Sequence, residues 1–141
     1  MSVTKKQMDE RHKLNRTILF KGISIETGEW VEGDLVQTLE HKDGHTCSWI
    51  KPRNILGLGA VSTPTENFIK IIPKTLSQFT GLNDSQGNRI FEGDILDDGE
   101  ILIEYHGGAF MAMEQNDYSY IGRGYLSEST VTGNIHDKEQ K

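Results

Sequence analysis

The tripeptide Glu-Gly-Asp occurs twice in this chain, sixty residues apart, each time between a β-forming pair and an aliphatic run. The copies read Trp30-Val31-Glu32-Gly33-Asp34-Leu35-Val36 and Ile90-Phe91-Glu92-Gly93-Asp94-Ile95-Leu96. Glycine reaches backbone angles that a Cβ forbids, and aspartate accepts a nearby backbone N–H. Together they can open a strand sharply, with the preceding aromatic or β-branched residue buried as an anchor. Glu32, Gly33, Asp34, Glu92, Gly93 and Asp94 are therefore expected to be structural, as a duplicated strand-opening device. A carboxylate or metal cluster of Glu32, Asp34, Glu92 and Asp94 is the alternative, but no ligand-spaced partner accompanies them.

The rest of the chain suits short strands. It has 15 Gly and 3 Pro among 141 residues, with β-branched and aromatic residues scattered between turn formers. TILFKGISI is read as a strand, ETGE as a turn and WVEGDLVQTLE as a second strand. Asp43-Gly44 marks a hairpin leading to TCSWI. The stretch 52–67 is irregular, FIKII is read as a buried strand, and PKTLSQF as a short helical element near 73–79. The run Asn83 to Asn88 predicts a reversal, and Asp98-Gly99 a second hairpin turn before EILIEY. Gly107-Gly108 turns the chain into AFMAME. A polar loop carrying Tyr118, Tyr120 and Tyr125 follows, and TVTGNI is the last strand. The fold class is all-β: two small barrel-like lobes, SH3-like in the C-terminal half because such barrels often carry a Gly-Asp step at a strand start, with short helical elements at the N-terminus and near 73–79. The expected division is a basic extension at 1–16, an N-terminal β lobe at 17–78, a C-terminal lobe at 79–136 and a loose tail at 137–141.

Charge argues against nucleic acid as the default partner, since the net charge is −6 and phosphate binding rests on clustered cations. The distribution is uneven. Lys5, Lys6, Arg11, Lys13 and Arg16 stand against Asp9 and Glu10, so the first 16 residues carry +3 and the remainder −9. This basic arm could touch phosphates or the acidic face of another copy, or simply be a solvated end. The single cysteine, Cys47, excludes an internal disulfide and a cysteine-based metal cage. No targeting segment or membrane-length apolar run is read, so the expectation is a soluble cytoplasmic protein.

No constellation of nucleophile, base and oxyanion donor emerges, and no enzyme is expected. Cys47 near His41 and His45 is better read as a buried apolar residue than as a nucleophile or partial zinc site, and no cofactor is expected. His106-Gly107-Gly108 lacks the following helix that would make it an anion nest. Tyr118, Tyr120, Arg123 and Tyr125 form the strongest candidate contact surface, because aromatics and arginine are enriched at interface hot spots.

Several stretches together resemble the YopX family of small phage and prophage proteins. They are LFKGISIETGEWVEGDLV, TLSQFTGLNDSQGNRIFEGDIL, ILIEYHGGAF and VTGNIHD, in that order from about residue 17 to 137. The resemblance implies a phage or prophage protein in the cytoplasm of an infected or lysogenic bacterium, a homo-oligomer, of unassigned biochemical role and without catalytic residues to carry over. The basic extension before residue 17 and the 52–67 stretch depart from the family pattern. The functional expectation is a non-catalytic protein–protein interaction module that binds itself or a host or phage protein. The alternative is a nucleic-acid-associated module in phage replication or transcription control.

Overall fold

The computed structural model describes residues 2–11, 16–39, 44–53, 68–122 and 124–139. Within them lie one helix, α1 (Lys5–Arg11), and eleven strands. Thr4 and Gln7 start α1 by capping each other: the Gln7 N–H donates to the Thr4 hydroxyl and the Thr4 N–H to the Gln7 side chain, at 3.1 and 2.9 Å.

The strands are β1 (Phe20–Ile23), β2 (Trp30–Leu39), β3 (Thr46–Pro52), β4 (Ile69–Lys70), β5 (Ser77–Asn83), β6 (Arg89–Phe91), β7 (Asp94–Leu96), β8 (Ile101–His106), β9 (Ala109–Glu114), β10 (Asp117–Tyr120) and β11 (Val131–Asn134). They make two antiparallel sheets, ordered β4-β3-β2-β1-β5-β6 and β10-β9-β8-β7-β11. The all-β expectation is met at this level. The first sheet runs past residue 78 to Phe91, and the chain crosses to the second sheet at Glu92-Gly93.

Local chemistry accounts for the connections. Gly107 and Gly108 take φ of 62° and 89°, the positive angles that a two-residue hairpin between β8 and β9 requires. Gln115 and Asn116 do the same between β9 and β10, at 51° and 66°. That second turn corrects the expected polar loop: Tyr118 and Tyr120 lie on a strand, because an Asn-containing pair tolerates left-handed backbone without glycine. The helical element near 73–79 shrinks to a single turn, Pro73–Thr75, and Ser77 already begins β5. The Thr75 hydroxyl ends it by donating to the Ile72 carbonyl and accepting the Ile23 N–H, which ties it to β1.

Between the sheets, Ile90, Leu96, Ile101, Ile103, Ala112 and Leu126 form one buried cluster, with Leu82, Ile121 and Val131 at its edge. Ile90 and Leu82 come from the β5–β6 hairpin, so the first sheet supplies part of the core over which the second folds. Leu19, Phe79 and Phe91 form a second cluster, with the two phenylalanine rings 5.6 Å apart. Each fully buried aliphatic side chain contributes on the order of 1.5–3 kcal/mol. No helix among the described residues is long and apolar enough to cross a membrane.

Candidate functional site

The two Glu-Gly-Asp copies do different work. The first is not a strand start: Glu32, Gly33 and Asp34 lie inside β2, between Val31 and Leu35. Gly33 sits opposite Pro52 on β3 and Phe20 on β1, and a Cβ there would fall 2.0 Å from the Lys51 carbonyl oxygen. Close backbone approach, rather than a turn, is why glycine stands there. Asp34 is 50% exposed and takes the Arg53 Nε–H at 2.8 Å. Glu32 has Arg89 at 3.7 Å, an ion pair too long for a hydrogen bond.

The second copy is the crossing between sheets, and there Asp94 does begin a strand. Asp94 is 1% exposed and accepts the Phe91 N–H at 2.8 Å and the Asn134 amide at 2.9 Å, with Lys21 Nζ at 3.4 Å. Lys21 also lies over the Trp30 and Phe91 rings, 4.4 and 4.6 Å from their centres. Burial pushes the Asp94 carboxyl above its ordinary range, against the opposing pull of Lys21 and the hydrogen bonds. Glu92 is raised by burial too, opposed by the Gln78 N–H that it accepts at 2.9 Å. Gly93 has φ of 84°, and its N–H and C=O bond to Ile103 and Ile135. These groups are bound to one another within the fold, and their arrangement is that of a clasp between sheets.

Asp84 is a second buried carboxylate. Burial raises it, but N–H donors from Val131, Asn88 and Gln86 and the Asn88 amide together hold it below its usual range. It fastens the β5–β6 turn to β11. Among the described residues no three His, Cys, Asp or Glu side chains gather as a metal site would require, and Cys47 is buried.

The tyrosines lie on and beside the second sheet. Tyr118 donates its hydroxyl to Glu104 at 2.7 Å and stacks on His106, with ring centres 4.1 Å apart and planes 3° from parallel. Tyr118 sits opposite Met113 and Glu104 opposite Met111, so the tyrosine hydroxyl reaches diagonally across β9 to the carboxylate. The hydrogen bond to Glu104, then partial desolvation and the carboxylate's charge, raise the Tyr118 phenol above its ordinary value. Tyr118 is thus engaged within the sheet, while Tyr120 stands 77% exposed and Tyr125 is exposed in the following turn. Arg123 lies outside the described residues, so the expected four-residue surface is reduced to these three tyrosines.

Beside Tyr120 a groove of about 510 Å3 runs between the sheets. Gln78, Thr80 and Leu82, alternate residues of β5, make one wall, and Tyr105 and Phe110 the other, with Tyr120 at the rim. Tyr105 is 58% exposed and meets Phe110 edge-on at 5.3 Å. Arg16 also lines the groove, as does no carboxylate among the described residues. Of the basic arm, Lys5, Lys6 and Arg11 belong to α1, Lys13 lies outside the described residues, and Arg16 lines this groove.

A family model described as YopX protein matches residues 19–140. The chain belongs to the YopX family. No curated protein matches the sequence. In this YopX family member the groove-lining Gln78 and Thr80 fall within the matched region, whereas Arg16 precedes it. Sequence reasoning missed the approach of β5 to Tyr105 and Phe110, because it read residues 73–79 as a helical element and so did not place Gln78 on a strand.

Proposed function

We propose that this YopX family member is a phage or prophage accessory protein without catalytic activity, whose work is to bind another protein in the bacterial cytoplasm and to self-associate. We read its sheets as two barrel-like lobes, the C-terminal one SH3-like. Family membership supports the phage connection. The observation that carries the binding role is the open groove between the sheets, with Tyr105 and Phe110 on one wall and Tyr120 at its rim. Solvent-facing aromatic rings lose little conformational entropy when a partner covers them, and they recur at the centres of protein interfaces. β10, the outer strand of its sheet, offers a second route by edge pairing, open to another copy.

The test is recovery of partners from bacterial lysate on the tagged full chain, with and without nuclease. A stoichiometric protein that survives nuclease and is lost from a Tyr120→Ser variant supports the reading. Recovery only in untreated lysate would move the assignment to nucleic acid, with Lys5, Lys6 and Arg11 on α1 as the residues to substitute next.

A further inference from the structure

We infer that the groove between β5 and the β8–β10 hairpins takes an extended, proline-containing peptide segment of a partner protein that carries a carboxylate beside an apolar residue. This rests on the protein-binding reading above and names the chemistry of what is bound.

Charge is the first ground. The chain carries −6 overall, yet the groove is lined by one cation, Arg16, and by no carboxylate among the described residues. Arg16 has no ion-pair partner among those residues. A small adjoining hollow of about 70 Å3 shares Arg16, Gln78, Thr80 and Phe110 with the groove, so these four meet at one place. The backbone of Gln78 is bound to Glu92 on both its N–H and its C=O, while its side-chain amide has no hydrogen-bond partner among the described residues. A guanidinium and an amide lining one groove together offer several N–H donors, the complement of a carboxylate.

Backbone chemistry is the second ground. A strand-like guest needs a strand edge, whereas the wall of this groove is a face of β5, made by the alternate residues Gln78, Thr80 and Leu82. That strand pairs with β1 at Ser77 and Gln78 and with β6 at Phe79 and Asn83, and the intervening Leu82 N–H turns onto the Thr80 hydroxyl. A guest lying here is therefore held by side chains. Aromatic walls hold proline-rich segments in just this way, because a polyproline helix makes no internal hydrogen bonds and arrives already extended. Single-stranded nucleic acid also stacks on aromatic rings, but its successive phosphates call for a basic track, and one arginine is not a track.

The experiment is an amide NMR titration of the full chain with three probes: a blocked peptide with a Pro-Pro-Leu centre flanked by Asp, the same peptide with Asn for Asp, and an oligothymidylate. The Asp peptide is expected to shift Thr80, Gly108, Phe110 and Gly122. Its affinity should fall about tenfold with the Asn peptide or with Arg16→Gln, the effect of one charge-assisted contact. Arg16 and Tyr120 are exposed, so R16Q and Y120S should keep the wild-type spectrum elsewhere. Equal affinity for the Asp and Asn peptides, shifts outside the groove, no shifts at all, or shifts from the oligonucleotide alone would each overturn the inference. The parent reading is judged separately. A lysate partner retained by the R16Q/Y120S double variant overturns the groove while leaving a protein-binding module, and no partner on the wild-type chain overturns the module.

Discussion

In the first Glu-Gly-Asp copy the aspartate is half exposed, paired with Arg53, and the glycine lies in the middle of a strand. In the second the aspartate is buried under Lys21, Asn134 and the Phe91 N–H, and the glycine turns the chain from one sheet into the other. Gly33 is constrained by neighbouring backbone and Gly93 by its own φ. A shared tripeptide therefore reports a shared tolerance for tight backbone, and the surroundings decide what that tolerance is used for.

Substitutions at matched positions should separate the copies. Asp94→Ala leaves Lys21 and the Phe91 N–H without their partner and should destabilise the protein by about 3–5 kcal/mol in urea unfolding. An effect under 1 kcal/mol, similar to that of Asp34→Ala, would erase the distinction. Gly33→Ala drives a methyl into the β3 backbone and should cost about 2–3 kcal/mol, as overpacking does. Gly93→Ala brings a methyl to 3.3 Å from the Asn134 amide, close enough that this side chain must shift, and also imposes a left-handed φ on alanine, together about 1–2 kcal/mol. Thermal unfolding of the two glycine variants side by side checks that order. Asp34→Ala removes an exposed ion pair and should change stability by less than about 1 kcal/mol.

The smallest effect sharpens the comparison through pH. Burial raises the Glu92 carboxyl, so the folded state holds that proton to higher pH than the unfolded chain does. Stability from this group is then greatest below the ordinary carboxylate range and falls as pH rises through the folded value. Glu92→Gln keeps an oxygen to accept the Gln78 N–H and cannot ionise. Relative to wild type it should gain stability between pH 4 and pH 7, as read by denaturant midpoints at both. Asp84 runs the other way. Its carboxyl is held low, so its contribution is full above the unfolded value and is lost as pH falls through the folded one.

Much of the fold was legible where turn chemistry is encoded in glycine. Gly87, Gly99, Gly107 and Gly108 all take positive φ at the reversals their neighbours predict. The turn at Gln115-Asn116 was not legible, because its left-handed angles fall on residues that also occur in open loops, and the tyrosines beyond it looked like loop residues. The sheet crossing at Glu92-Gly93 was hidden for another reason: β6 and β7 are three residues each, and short runs do not reveal which neighbours they join. The groove depends on Arg16, β5 and the β8–β10 hairpins meeting in space, and no local pattern records that meeting.

The clasp has a consequence for how the chain is made. Lys21 waits for Asp94, 73 residues later, and Trp30 donates its indole N–H to Asp137, 107 residues later. Ile90 is buried by strands that follow it. Contacts this distant in sequence slow folding, because each closes a long loop before its energy is gained. During synthesis the earliest strands therefore emerge ahead of the residues that lock them, and the native contacts are completed only when Asn134 and Asp137 have left the ribosome.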